Sequence, residues 1–371
     1  MLTRTNKSLI FTFLAIMLAT VALADVERSI ADLSDRDWQV RRSAAESLGA
    51  SGSTDKAVVA VLTTALKDPD SRVRRSAADA LGSIGEKARA AIPALVDALD
   101  DIDPSVVAAA ARATGQMGTR ASRAVGDLTA LLDHDNASVR EAASASLGNL
   151  GRRASKSAFD LNGRLSDPDP AVRAAAAVSL GQLGPRSNAS ITDLIRVLGD
   201  DDDSVRDAAS GALVRMGKKA VPNLVRALQN GNPIFLQAVV DTLGRIGPVA
   251  VPRLSEALLE DRTPDIARGY AAMALAQIAD RDDAVIATLT KALEDHSVNV
   301  RMSAAEALGH AGELAKPASA KLIEISIDSR ESVLVREFAI SALAKIAPGD
   351  AAVEEALVYA VSDGNPRIYE A

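Results

Sequence analysis

Few side chains in this sequence are equipped for chemistry. It holds three histidines and no cysteine, which removes disulfides, thiolate nucleophiles, zinc–cysteine centres and iron–sulfur clusters together. His134, His296 and His310 lie far apart, and none is followed by Glu or has a His or Glu four residues on, the spacing that places two ligands on one helical face. Asp133-His134-Asp135-Asn136 begins like a calcium loop, but Ala137 stands where a ligand is needed and no glycine follows. The four-Asp run at 200–203 reads as a weak calcium site or as a capped, solvated turn. Gly211 to Lys219 has the glycines and lysines of a phosphate loop with the wrong spacing and no strand before it. Neither Gly-x-Ser-x-Gly nor His-Glu-x-x-His occurs. The sequence therefore assigns no catalytic residue, no cofactor and no metal, and reads as a non-enzyme.

Charge is the chemistry that remains, and it recurs. Arg41, Arg74, Arg140, Arg173, Arg206, Arg268, Arg301 and Arg336 each follow an apolar residue at one repeated place. They form either a cationic stripe for an anionic polymer or a structural ladder in which each Arg pairs with acids of its own or the next turn. An Asp or Asn one helical turn ahead of most of them favours the ladder. A second basic series comprises Lys87 and Arg89, Arg120 and Arg123, Arg152, Arg153 and Lys156, Arg186, then Lys218 and Lys219. It complements helix macrodipoles or docks an acidic partner. A third feature is bare: Ala108, Ala109, Ala142, Ala174, Ala175 and Ala208 flank Arg112, Glu141 and Asp207. These alanines are helix filler or the floor of a shallow groove for a partner's helix or extended peptide.

The elements that carry these side chains repeat. An Asp-rich turn leads into Val-Arg-x-x-Ala-Ala-x-x-Leu-Gly-x-x-Gly, with its valine at Val40, Val73, Val106, Val139, Val172 and Val205, 33 residues apart. The pattern drifts on through Phe235, Ala267, Val300, Val335 and Ile368, and a fixed period of this size marks a solenoid. Valine, alanine and leucine fall four apart, on one helical face. Asp37, Asp70, Asp103, Asn136, Asp169, Asp202, Asn232, Ser297, Ser332 and Asn365 stand three before the valine position and are expected to cap these helices. Pro104, Pro170, Pro233 and Pro366 follow at the first helical position. Gly52, Gly85, Gly118, Gly151, Gly184, Gly217, Gly247 and Gly312 are expected to end the helices in a left-handed turn. A second helix, such as that around Pro93 or Pro222, fills the rest of each period. No run reads as a strand.

This phrase, seen in Asp169-Pro170-Ala171-Val172-Arg173 with Leu180-Gly181 closing it, resembles the HEAT-repeat superfamily and the short repeats called PBS-lyase HEAT-like. The resemblance implies an all-α solenoid of stacked antiparallel helix pairs with a concave wall built from the second helix of each pair. It spans about ten units over 25–371, the last incomplete. Other members of the superfamily include a hydroxylase that holds iron on His-Glu pairs, absent here, and chromophore lyases.

The chain is 371 residues long with a net charge of −7, 48% apolar and 2% aromatic residues. Such a balance argues against nucleic acid, whose phosphates need a basic face. Arg4 and Lys7 precede an apolar run from Leu9 to Leu23, and Ala22-Leu23-Ala24 stands before Asp25. That is the form of a cleavable signal peptide over 1–24, too short to span a membrane. Export to a periplasm or the exterior is the expectation, with no membrane span after cleavage. The favoured function is a scaffold or adaptor binding a protein or peptide on the concave face or the basic edge, with self-association through the C-terminal repeat as a further expectation. An enzyme-associated module, lyase-like or hydroxylase-like, and a binder of anionic surface polymer are the alternatives.

Overall fold

The computed structural model describes residues 23–281 and 284–361. Among them every regular element is helical, and the chain divides into two compact units, Met1–Ser190 and Ile191–Ala371. The expected leader over 1–24 lies almost wholly outside the described residues, as do Asn365, Pro366, Ile368 and the end of the final repeat.

In the first unit a helix over 23–32 precedes α1 (Trp38–Ala50), α2 (Lys56–Ala65), α3 (Ser71–Ile84), α4 (Ile92–Asp97), α5 (Pro104–Gln116), α6 (Val125–Ala130), α7 (Ala137–Asn149), α8 (Ala158–Gly163) and α9 (Pro170–Leu183). Long helices carrying the Val-Arg phrase alternate with short ones. Asp37, Asp70, Asp103, Asn136 and Asp169 each accept the amide two residues on, which starts the long helices where the sequence places them. The eight expected glycines, and Gly349 besides, all adopt positive φ. At Gly118, φ of 60° turns the chain out of α5 into a 3-10 segment, a backbone that an L side chain would strain.

Packing follows the repeat. Val73, Ala77 and Leu81 are buried, and so are Val139, Ala143 and Leu147 two units on. The glycine of each Leu-Gly pair has a second purpose. A Cβ on Gly49, Gly82, Gly115 or Gly148 would sit 2.8–3.1 Å from the Cα of Ala80, Ala113, Ser146 or Ser179 on the next long helix. Long helices therefore meet backbone to backbone, and Ser146 and Ser179 donate across the seam to the carbonyls of Ala111 and Ser144. The long helices pack extensively against one another, whereas the short ones meet their neighbours mainly through 3-10 segments.

The second unit begins with α10 (Ile191–Val197) and continues through α11 (Asp203–Met216), α12 (Val221–Ala227), α13 (Pro233–Ile246), α14 (Val251–Leu259), α15 (Asp265–Ala276), α16 (Ala284–Ala292), α17 (Val298–Ala311), α18 (Ser319–Ile327), α19 (Val333–Ile346) and α20 (Ala351–Val361). Its caps are weaker. Asn232 accepts from Phe235, but Pro264, Ser297 and Ser332 cap without a side-chain bond. The Ser297 side chain helps hold the Asp265 carboxyl below its ordinary value. The apolar stretch 233–259 reaches a mean hydropathy of 1.4, yet Gly247 at φ 80° folds it into two helices. Neither approaches the 20 or so residues a span requires.

Candidate functional site

The recurring arginines are occupied within the fold. Arg41 forks onto Asp68 at 2.7 and 2.8 Å, Arg74 onto Asp101 at 2.7 Å twice, and Arg140 onto Asp167 at 2.8 Å twice. Each partner lies 27 residues on, in the next Asp turn. The third guanidinium nitrogen donates to two carbonyls of its own turn, Asp68 and Pro69 for Arg74. Arg173 reaches the carbonyls of Asp167 and Pro168 in the same way. For Arg41 and Arg74 the acid one helical turn ahead, Asp37 or Asp70, instead accepts a helix amide.

Substitutions along the column agree with this pairing. Where the arginine becomes Val107, the position 27 on is His134, whose Nδ1 accepts the Asn136 amide. In the second unit Arg268 is fully buried between Asp265 and Asp295, Arg301 forks onto Glu331 at 2.6 and 2.8 Å, and Arg336 donates to the Ser326 carbonyl. Arg206 pairs with Asp203. Burial, the largest single influence, pushes the carboxyls of Asp101, Asp167 and Glu331 upward, and the arginine hydrogen bonds, a backbone amide and the arginine charge together outweigh it, holding them below their ordinary values.

The alanine groove is closed over part of its length. Ala108, Ala109 and Ala142 are buried, at 3%, 0% and 3% exposure, because the tight seam between long helices takes them in. Ala174, Ala175 and Ala208 are half-buried. Exposed Arg112 reaches back 3.5 Å to Asp79, while Glu141 and Asp207 face solvent. The sequence missed a neighbouring feature, Trp38, whose ring carries the Arg72 guanidinium 3.2 Å from its centroid beside a cavity of about 480 Å³. The cavity walls are already paired, Arg42 with Glu46 and Arg75 with Asp79. Among the described residues no three His, Asp or Glu side chains converge as a metal site would need. Asp200 and Asp202 cap backbone amides, and Gly211 lies inside α11.

The basic edge of the first unit is open. Its side chains sit on the 3-10 segments Gly85–Ala91, Gly118–Ala124 and Gly151–Ser157. A 3-10 turn brings every third residue into line. Ala88 with Ala91 and Ala121 with Ala124 are buried and the residues between them are turned outward, while Ala154, Ser155 and Ser157 are buried and leave Lys156 outward between them. Lys87, Arg89, Arg123, Arg152, Arg153 and Lys156 are exposed and make no ion pair among the described residues; Arg120 alone has a partner, Glu86 at 3.6 Å. Lys87, Arg152 and Arg153 closely follow the C-terminus of a long helix, where its dipole favours positive charge, whereas Arg123 and Lys156 stand just before the N-terminus of a short one, where it is opposed. Lys218 and Lys219 are exposed likewise on the Gly217–Lys219 turn of the second unit. The Arg186 side chain lies outside the described ones. Phe159, which no periodicity signals, stands three residues after Lys156 at 86% exposure.

Comparison with known proteins places this architecture. A family model described as HEAT repeats matches residues 27–114, 87–148, 125–214, 198–268 and 251–344. No curated protein matches the sequence. Among solved structures, the complex of CpcE and CpcF of phycocyanin lyase from Nostoc sp. PCC7120 shares 27% identity over 61% of this chain and 91% of that one, with a TM-score of 0.43. Kap121p bound to Nup53p aligns over 91% of this chain at 13% identity and TM-score 0.50. Unbound Kap121p aligns over 94% at 12% identity and TM-score 0.51. This chain spans 43% and 44% of those two, a likeness of helical solenoid fold.

Proposed function

The chain belongs to the HEAT-repeat family, and from that premise we propose that it is a non-catalytic docking scaffold, exported from the cytoplasm, that holds an acidic protein partner on the basic edge of its first unit. A solenoid fold serves many purposes, so the reading rests on the site. The observation that carries it is the set of six exposed cations without ion pairs, on a chain whose net charge is −7. Elsewhere arginines are paired repeatedly, as in the ladder. Cations left to water on one edge raise the local concentration of acidic partners and speed their encounter. Kap121p with Nup53p is a solenoid seated on a protein partner, in keeping with this use of the fold.

Export is supported by Arg4 and Lys7 ahead of the apolar run and by Ala22-Leu23-Ala24 at its end. Removing 1–24 takes away two positive charges and no acid, leaving −9. Cross-linking in cells, with fractionation and mass spectrometry, tests both halves. The expected result is a chain beginning at Asp25 outside the cytoplasm, cross-linked through Lys87 or Lys156 to an acidic protein. Reversing Arg152, Arg153 and Lys156 to Glu should then abolish the cross-link while the thermal midpoint stays unchanged. Capture that survives the reversal removes the edge from the function.

A further inference from the structure

The basic edge has a period, and the period describes what lies on it. In the first unit outward cations recur at one place of each layer, Lys87, Arg120 and Arg153, and at a second in two layers, Arg123 and Lys156, with Arg89 one residue before that second place in the layer of Lys87. Successive helix layers stand about 8–10 Å apart. An extended chain of polyproline type rises about 3.1 Å per residue with three residues per turn, so every third side chain returns to one face after roughly 9.3 Å. The two spacings match. A β-strand returns a side chain to one face every second residue, about 6.6 Å, and slips out of register after one layer.

The ground beside the cations suits a backbone lying flat. Ala60, Pro93 and Gly126, one per short helix, are exposed. A Cβ placed on Gly126 meets nothing within 4 Å. At the first layer Lys56, Lys87 and Arg89 ring an open cavity of about 480 Å³ floored by Val59, Thr63 and Ala90. At the fourth layer the same place holds Phe159. The other described phenylalanines, Phe235 and Phe338, are half-buried, so Phe159 is singular in offering its ring to solvent.

Resting on the docking reading above, we infer that the partner presents an extended acidic segment, with a carboxylate at every third residue and an apolar side chain at one end that packs on Phe159. The carboxylates meet successive cation pairs, and the apolar end fixes the register. A spaced row of cations ending at one exposed ring fits a peptide, whose carboxylates follow the layers while an apolar side chain covers the ring.

The test is fluorescence anisotropy of the purified full chain with labelled 15-residue peptides. One carries Glu at every third position, Pro and Ser between, and Leu at one end; a second has the same composition with its Glu residues contiguous. The periodic peptide should bind at least about fivefold more tightly, and Phe159→Ser should weaken it about tenfold with circular dichroism unchanged. Equal affinity for the two peptides, or no effect of Phe159→Ser, overturns the inference. An alginate oligosaccharide that binds more tightly than either peptide and ignores Phe159→Ser overturns it in favour of a polymer. If neither peptide binds but Arg152, Arg153 and Lys156 reversal still abolishes the cellular cross-link, the inference falls and the docking edge stands. If the cross-link also survives reversal, both fall.

Discussion

Arg74 and Asp101 show at residue scale why the recurring arginine is kept. The pair is nearly buried, at 13% and 10% side-chain exposure, and the guanidinium also ties down the turn that precedes its own helix. Removing one partner leaves the other desolvated, so Arg74→Met should destabilise the chain by about 3 kcal/mol, read as a lowered denaturation midpoint. Acid sensitivity follows from the same pairs. Burial, the largest single influence, raises the Asp101 carboxyl, but the Arg74 hydrogen bonds, the Asp103 amide and the Arg74 charge together outweigh it, so the carboxyl ends below its ordinary 3.8. Its contribution is complete above that value and is lost as pH falls through the folded one. The thermal midpoint should be level from about pH 7 to 5 and drop below about pH 4, and Asp101→Asn should make that drop shallower. A different buried polar group works against the fold. Thr114 interrupts the leucine column, and its hydroxyl is buried without a hydrogen-bond partner. Thr114→Val keeps the shape and removes the unmet group, and should raise stability by about 1 kcal/mol in chemical denaturation.

At element scale the glycines divide into those the packing needs and those it does not. Gly115 lies on α5 where a Cβ would stand 2.8 Å from the Ser146 Cα, whereas a Cβ on Gly211 of α11 meets nothing within 4 Å. Both are helical, and alanine is favoured over glycine by about 1 kcal/mol in a helix interior. Gly211→Ala should therefore raise the thermal midpoint. Gly115→Ala should lower it despite the same propensity gain, since the long helices cannot close on one another. Calorimetry of the two variants separates seam packing from helix propensity. The caps tell a parallel story. Asp70 and Asp103 were legible because a capping side chain acts two residues away, within its own segment. Ser297 takes the cap position the sequence assigns it but bonds no helix amide, and its side chain lowers the carboxyl of Asp265 in the preceding unit of the repeat.

At the scale of the whole molecule, net negative charge coexists with a cationic edge, so binding there should be electrostatic. The apparent Kd for the periodic acidic peptide should rise about tenfold or more between 50 and 500 mM salt, as screening shortens to a few ångströms; a flat salt response would show that charge is not what holds it. The sequence by itself determined the helix pairs, their 33-residue period, the capped starts and the left-handed glycine ends, because each is decided by residues within a few positions of one another. The 27-residue offset from Arg41 to Asp68, and again from Arg74 to Asp101, was also written there, but nothing local distinguishes Asp68 from Asp70 as the partner. Only the tertiary structure decided that Ala108 and Ala142 are sealed into a seam while Lys87, Arg123 and Lys156 stay in water and Phe159 stays bare. Those outcomes depend on which neighbouring layer covers a side chain, and a pattern confined to one repeat carries no record of its neighbours' approach.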